Sequence, residues 1–477
     1  MDPIQTELVV VGGGPGGYAA AFYAADLGQR VILVEKDARL GGVCMNRGCI
    51  PSKALLNAAH TITAARESAH RGITFGSPVI DVNQLRAWKE SIVSKLGQGI
   101  SSLAKMRGVT VIHGRGHFED SETLRVETSS GQQLVKFQRA IVAVGSRPAL
   151  PAAFDLGNPR VMTSTEALEV PEIPTTLLII GGGYIGMELG TVYATLGSKV
   201  TVIEATETIL AGADADLIRP VVAFARKAFH ETRLKAKVKS MQTVGHQIKV
   251  TSEYEGRIFE ELYDRVLVSV GRTPNSKDLG LENTAAKLDE KGFLQVDERM
   301  QTADPKISAI GDIAGGILLA HKASREARVA VEAIYGEGKP INRDYVIPAV
   351  VFTDPEIAWV GLTENEAKQK NMTVNVAKFP WGASGRALTY DRVDGLTKLI
   401  LEPETNRILG VGLVGHGAGE LIGEATVAIE MGATAEDLAA IVHPHPTLSE
   451  TIMEAAEVFF GHATHVFTRK KVDSQPH

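Results

Sequence analysis

Twice in this chain a short apolar run closes on a glycine-rich turn, opens a helical pattern, and meets a glutamate 23 positions after the first turn glycine. The first copy joins residues 7–11 to Gly12-Gly13-Gly14-Pro15-Gly16-Gly17 and then residues 30–34, ending in Glu35. The second joins residues 176–180 to Gly181-Gly182-Gly183-Tyr184-Ile185-Gly186 and then residues 199–203, ending in Glu204. Strand, glycine turn and helix in this order lay a pyrophosphate on a helix N-terminus, and an acid at the end of the next strand bonds a ribose hydroxyl. Gly12, Gly14 and Gly17, and Gly181, Gly183, Tyr184 and Gly186, are therefore candidate cofactor contacts, with Glu35 and Glu204 as ribose acceptors. Each copy is followed by a further apolar strand with a similar ending, Gly145-Ser146-Arg147-Pro148 and Gly271-Arg272-Thr273-Pro274. The repeat predicts two nucleotide-binding units. A glutamate at the end of the second strand repels a 2′-phosphate, so the nicotinamide partner is expected to be NAD.

The first unit runs straight into Gly41-Gly42-Val43-Cys44-Met45-Asn46-Arg47-Gly48-Cys49-Ile50-Pro51-Ser52-Lys53, which holds both cysteines of the 477 residues. On a regular helix, residues five apart have Cα atoms roughly 8 to 9 Å from each other, too far for a disulfide. If Cys44 and Cys49 pair, the helix has to break between them, and Gly48 supplies the freedom. Pro51 is tolerated in a first helical turn, which puts Cys49 near a helix N-terminus where the dipole and Lys53 favour a thiolate. By spacing alone the alternative is two unrelated buried thiols, the common state of cysteine in a cytosolic protein. A zinc site is disfavoured because structural zinc takes four ligands and no further cysteine exists. A nucleotide unit that leads into sulfur points to a flavin as its ligand.

Fifty basic and 56 acidic residues give a formal charge of -6 without long runs, which asks for neither nucleic acid nor an anionic membrane. Residues 8–25 are uncharged and raise the question of a membrane span. Five glycines and a proline among them argue for a buried strand, turn and helix instead. The acidic start lacks the positive region of a signal peptide, so a cytoplasmic location is expected.

Residues 81–106 read as an amphipathic helix, and residues 109–135 as short strands. Residues 307–312 form another apolar strand closing on Gly311-Asp312, and residues 321–335 a helix. Asp312 suits either a flavin ribityl contact or the N-cap of that helix. From about residue 344 alternating strands (349–353, 357–361, 374–379, 395–401 and 408–414) precede helices from about 418, an α+β domain without a glycine fingerprint. The tail from Phe467 is polar and expected to fray. Before the last helix stands His443-Pro444-His445-Pro446-Thr447-Leu448-Ser449-Glu450. His445 and Glu450 suit a base and its orienting carboxylate, while Thr447-x-x-Glu450 is equally a capping box. His443, with no assigned partner, reads as structural.

Together the cysteine stretch, the two fingerprints, Gly311-Asp312 and His445 to Glu450 resemble, in the same order over essentially the whole chain, the flavin-dependent pyridine nucleotide-disulfide reductases. The resemblance implies an α/β fold: an FAD-binding domain at 1–148 with a redox disulfide, an NAD-binding domain at 149–274, a segment at 275–346 completing the FAD site, and an α+β dimerisation domain at 347–477. It implies that Cys44 and Cys49 form the redox disulfide, Cys44 meeting substrate and Cys49 facing the flavin, with Lys53 and Glu188 as an ion pair beside the ring. Glu35, Gly42, Lys53, Gly116, Asp312 and Ala320 match FAD contacts. Gly181 to Gly186, Glu204, Gly271 and, on a diffuse motif, Val238 match NAD contacts; no metal is implied. His445 and Glu450 match an acid–base dyad supplied by the other subunit of a homodimer. The likeness is strongest to members that oxidise a dihydrolipoyl group carried on the lipoyl domain of an acyltransferase or carrier protein; the alternatives are a glutathione-type reductase or a docked binding component. Arg47 stands where the pattern is usually apolar, suited to lowering a thiol pKa or to touching an acidic surface. Tyr184, where an aliphatic is frequent, resembles the gating tyrosine of the glutathione-reducing members.

Overall fold

The computed structural model describes residues 3–336 and 345–467. The chain divides into two compact units, Met1–Ile173 with Val268–Arg343, and Pro174–Leu267 with Asp344–His477. The frayed tail expected from Phe467 lies, apart from Phe467 itself, outside the described residues.

Strand β1 (Ile4–Val11) organises the first unit. Leu8, Val9 and Val10 are wholly buried and Val11 nearly so, because both faces of the strand are covered, and such strands read as unbroken apolar runs. Leu8 and Val10 pack on Ala20, Ala21 and Ala24 of helix α1 (Pro15–Asp26). Val9 and Val11 pack on Phe118, Leu124 and Val126. β1 pairs in parallel with β2 (Val31–Glu35), after which come helices α2 (Gly42–Arg47), α3 (Cys49–Glu67) and α4 (Val82–Met106). The amphipathic helix expected at 81–106 is α4, with Asp81 as its N-cap, accepting from Asn83 N at 2.9 Å and Gln84 N at 3.0 Å. Strands β3 (Thr110–His113), β4 (Arg115–Phe118), β5 (Thr123–Thr128) and β6 (Gly131–Val142) complete a sheet of order β3-β2-β1-β6-β5-β4. The strand Ile307–Ala309 adds in parallel beside β6.

One boundary differs from expectation. The last of the short strands expected up to 135 and the apolar strand expected before Gly145 are a single strand, β6, of 12 residues. Lys136, Gln138 and Arg139 hide its continuity, but Val135 and Phe137 point inward while Lys136 and Gln138 point to solvent, the two-residue alternation of a half-exposed strand.

In the second unit the glycine fingerprint again sits between parallel strands, Thr176–Ile180 and Lys199–Ile203, with Glu231–Arg233 beyond. A three-stranded antiparallel sheet (Lys237–Val244, Gln247–Tyr254, Arg257–Tyr263) follows, which the sequence reading did not anticipate. The five strands expected after 344 form one antiparallel sheet in the order Ala349–Val351, Glu356–Gly361, Ile408–Gly415, Leu396–Leu401, Asn375–Pro380. Its core centres on Trp381, fully buried against helices Ala418–Glu430 and Glu450–Phe460.

Candidate active site

The two glycine turns are built alike. At Gly12 a Cβ would meet Ala143 O at 2.4 Å, and at Gly17 it would meet Gly12 O at 1.7 Å, so these two are glycine because the chain passes too close for any side chain. Gly14 is different: nothing stands nearer to its would-be Cβ than Gly42 Cα at 3.8 Å, and at Gly183 nothing stands within 4 Å. Helices α1 and Tyr184–Leu196 both start on these open glycines without a side-chain cap. An uncapped helix start behind an open glycine is the donor set a pyrophosphate takes, so both turns fit a dinucleotide. Glu35 Oε2 accepts from Gly13 N at 2.6 Å and its Oε1 from Asp37 N at 2.8 Å. Glu204 repeats this with Gly182 N at 2.6 Å and Thr206 N at 2.7 Å. Each glutamate thus locks the strand end to its own glycine turn while a carboxylate keeps further acceptor sites for a ribose.

A pairing of Cys44 with Cys49 requires the helix to break between them, and the helix does break there. α2 ends at Arg47, Gly48 takes φ -148 and ψ -111, and α3 starts at Cys49. A Cβ on Gly48 would meet Val43 O at 2.9 Å and Cys44 Cα at 3.2 Å, so the turn closes only with glycine. Both cysteines are thiols here, hydrogen-bonded to each other, Cys44 half-buried and Cys49 exposed. The bond to Cys49, then burial, push the Cys44 thiol far above its ordinary range, against the charge of Lys53. Negative charge on the pair is therefore disfavoured at Cys44. The Tyr18 phenol, missed by the sequence reading, is pushed up by burial and then by the charges of Cys44 and Cys49. The Arg47 guanidinium pairs with Asp37, and the positive charge of Lys53 acts to lower the Cys44 pKa.

Glu450 meets a different partner with each oxygen, but the capping box expected of Thr447 and Glu450 is not formed: Ser449 is the N-cap, without a side-chain cap, and Thr447 Oγ1 donates to Pro444 O at 2.7 Å. Oε1 lies 2.8 Å from His445 Nδ1 and Oε2 accepts from Thr447 N at 2.6 Å. The helix starts at Glu450 itself, with Ser449 as N-cap, so the carboxylate satisfies a backbone donor and orients the imidazole together. Burial raises the Glu450 pKa, but the Thr447 N–H and then His445 outweigh it and hold it below the ordinary 4.5. The His445 side chain is 70% exposed, whereas Glu450 keeps 18%. Behind them Trp381 Nε1 donates to Thr397 Oγ1 at 2.9 Å, which donates to Thr451 Oγ1 at 2.8 Å, pinning the first turn of the dyad helix to the sheet. His443 is corrected in one respect: it has a partner, with Nε2 2.7 Å from Glu424 Oε1 and Nδ1 2.9 Å from Ile441 O.

Asp312 is not a helix cap. Helix Ala320–Tyr335 starts after Leu319 without a side-chain cap, while Asp312 accepts from Ser146 and lies 3.6 Å from Arg272 Nε. The two similar turns noted in the sequence pair with each other, Ser146–Pro148 against Arg272–Pro274, and so deliver Ser146 and Arg272 to Asp312. Gly311 N is held by Glu326 at 2.7 Å, itself paired with buried Lys322 at 2.6 Å. Ala320 opens its helix, and Gly116 lies inside β4, where a Cβ would press on Val11 and Leu124. Val238 is half-buried in the three-stranded sheet, and Gly271 has φ +131 with nothing within 4 Å of a would-be Cβ. Gly42 opens α2 against Gly14. Lys53 sits on α3 of the first unit, and Glu188, buried on helix Tyr184–Leu196 of the second, accepts from Phe352 N at 3.0 Å. Gly181 has φ +106, Gly186 is buried, and Tyr184 is 41% exposed.

Two dinucleotide turns, with a hydrogen-bonded thiol pair across a glycine break beside the first, define a nucleotide-dependent dithiol–disulfide oxidoreductase. Comparison with known proteins agrees. Residues 6–327 match the model of the pyridine nucleotide-disulphide oxidoreductases, and residues 347–456 match the dimerisation domain of the same group. A dihydrolipoyl dehydrogenase of Vibrio parahaemolyticus is 46% identical over 470 residues, 98% of each chain. That of Geobacillus stearothermophilus is 45% identical over 467 residues, again 98% of each. Among solved structures, LpdA from Mycobacterium tuberculosis superposes with a TM-score of 0.86 at 29% identity, covering 95% of this chain and 99% of that one. The flavoprotein disulfide reductase RclA of Escherichia coli, solved as a Cu(II) complex, gives 0.85 at 28% identity, covering 96% and 99%. The chain belongs to the pyridine nucleotide-disulphide oxidoreductase family, and FAD and NAD(H) are its cofactors. Among the described residues, no helix is long and apolar enough to cross a membrane.

Proposed function

We propose that this chain oxidises a dihydrolipoyl group, borne by the lipoyl domain of an acyltransferase or carrier protein, to the lipoyl disulfide and delivers the electrons to NAD. The observation that carries the reading is the thiol pair Cys44 and Cys49 beside a dinucleotide turn, together with full-length relatives named dihydrolipoyl dehydrogenase.

In this reading the working cycle begins with Cys44 and Cys49 joined as a disulfide. His445, its Nδ1 held by Glu450, takes a proton from one substrate thiol at Nε2, and the resulting thiolate attacks Cys44, releasing Cys49 as thiolate. The second substrate thiol then displaces Cys44, so the substrate loses two electrons and closes its disulfide while the protein gains a dithiol. A base within reach of the attacking thiol matters because only the thiolate is nucleophilic. FAD, when bound, supplies the two-electron exchange between the thiol pair and NAD. Residues Gly12, Gly14, Gly17, Glu35, Gly42, Gly116, Asp312 and Ala320 would hold it, with Lys53 beside its ring. Gly181, Gly183, Tyr184, Gly186, Glu204, Val238 and Gly271 would hold NAD.

The working form is a homodimer in the cytoplasm, each site taking His445 and Glu450 from the second copy. The match of residues 347–456 to a dimerisation domain supports the dimer, as does the 70% exposure of the His445 side chain. The test compares NAD-linked oxidation of dihydrolipoamide with NADPH-linked reduction of glutathione disulfide. At least a hundredfold preference for the first is expected; a preference for the second assigns the chain to glutathione chemistry.

A further inference from the structure

The ion pair between Arg47 and Asp37 ties the far end of the Cys44 helix to the first nucleotide turn, to which the start of that helix is already held by Gly41 N donating to Gly13 O at 2.8 Å. Arg47 is the last residue of α2, the short helix that carries Cys44. Asp37 lies two positions past Glu35, in the turn leaving β2. Its backbone N–H donates to Glu35 Oε1 at 2.8 Å, and Glu35 Oε2 accepts from Gly13 N at 2.6 Å. Its carbonyl lies 2.8 Å from His113 Nδ1, so the turn is fixed on both sides.

The second fingerprint provides an internal control. Glu204 makes the same two backbone bonds, to Gly182 and to Thr206, and Thr206 stands where Asp37 does. There the side chain turns back, its Oγ1 donating to Glu204 Oε1 at 2.8 Å. The turn itself needs no carboxylate at that position. In the first fingerprint the acid reaches away from the turn instead, to the guanidinium of Arg47, whose side chain is 36% exposed against 28% for Asp37. A guanidinium holds a carboxylate in a directional fork that an apolar residue at 47 could not replace.

We propose that Arg47 is a positioning residue: its pair with Asp37 straps the Cys44 helix to the ribose-binding end of the first nucleotide turn, and so sets the thiol geometry. The assignment rests on the proposed disulfide exchange at Cys44 and Cys49. With the strap in place Cys44 stays half-buried against Cys49. Releasing α2 exposes it and frees it from that hydrogen bond, which raises its reactivity toward an alkylating agent. An Arg47 that acted instead through its charge on the thiols gives a different pattern. Removing Arg47 would then slow alkylation, and removing Asp37, which leaves the cation unneutralised, would speed it.

The experiment uses the flavin-loaded protein, reduced and held anaerobically, and measures alkylation of the thiol pair by iodoacetamide and its equilibrium with the glutathione couple. Three variants are compared: Arg47→Leu, Asp37→Asn, and the exchanged pair Arg47→Asp with Asp37→Arg. Both single variants are expected to raise the alkylation rate about threefold, the scale of one partly exposed ion pair. They should displace the glutathione equilibrium in the same direction, and the exchanged pair should return to within about twofold of the parent. Single variants that move in opposite directions, or that both leave alkylation unchanged, overturn the strap. Failure of the parent protein itself to exchange with any dithiol would instead overturn the proposed function.

Discussion

At the scale of single residues, the chemistry turns on positions where one atom decides. A Cβ at 48 would stand 2.9 Å from Val43 O and 3.2 Å from Cys44 Cα, both backbone atoms that cannot rotate away. Gly48→Val is therefore expected to separate the two sulfurs and to lower dihydrolipoamide turnover by at least about tenfold, while far-ultraviolet circular dichroism stays that of the parent. Glu450 gives a prediction in pH. Its folded-state pKa lies below the ordinary 4.5, so the stability it contributes is complete above that value and is lost as pH falls through the lowered one. The melting temperature of the parent should exceed that of Glu450→Gln at neutral pH, with the gap closing below about pH 4.5. The same variant should lose about tenfold or more in turnover, because an amide orients His445 less well and cannot stabilise its cation. Cys44, Cys49, His445 and Glu450 were legible in the sequence because they sit in compact motifs. The partners Asp37 and Glu424 were not: each lies 10 or 19 positions from the residue it meets, on a different element, and only the packed chain brings them together.

Elements followed their periodicities where burial is one-sided or complete. β1, α4 and the five strands after residue 344 were readable for that reason, whereas β6 was cut in two by its polar solvent face. The three-stranded sheet at residues 237–263 escaped notice because its outer strands alternate weakly, with few buried positions. How the dyad helix is seated was equally invisible, since the chain Trp381–Thr397–Thr451 spans three elements. Thr397→Val removes its middle member and leaves the fully buried indole N–H of Trp381 without an acceptor. We expect a loss of about 1 to 3 kcal/mol in unfolding free energy, read from the denaturant midpoint at unchanged slope. Turnover should fall as well, because Thr451 follows Glu450 directly in the helix.

On the scale of the whole molecule, the glycine fingerprint alone accounts for two nucleotide turns but not for what anchors the second to the sheet that follows residue 344. Lys398, entirely buried in that sheet, reaches Asp214 at 2.6 Å, Asp216 at 2.8 Å and Glu364 at 3.0 Å. Asp214 also accepts from Glu364 N at 2.9 Å and Asn365 N at 3.0 Å, so these carboxylates are already occupied by an ammonium and backbone donors. Lys398→Ala leaves buried Asp214 with backbone donors alone, while Lys378 still reaches Asp216 at 2.7 Å and Glu364 at 3.0 Å, and should cost about 1 to 3 kcal/mol, visible as a lowered thermal midpoint with both cofactors present. None of these supporting parts matters to function unless electrons enter through sulfur. The most direct measurement is NAD-linked oxidation of dihydrolipoamide by Cys44→Ser and Cys49→Ser, each purified with its flavin absorbance intact. Both should retain the flavin and fall in turnover by a factor of about a thousand or more, for want of an exchangeable disulfide; turnover within twofold of the parent in either variant would contradict the account.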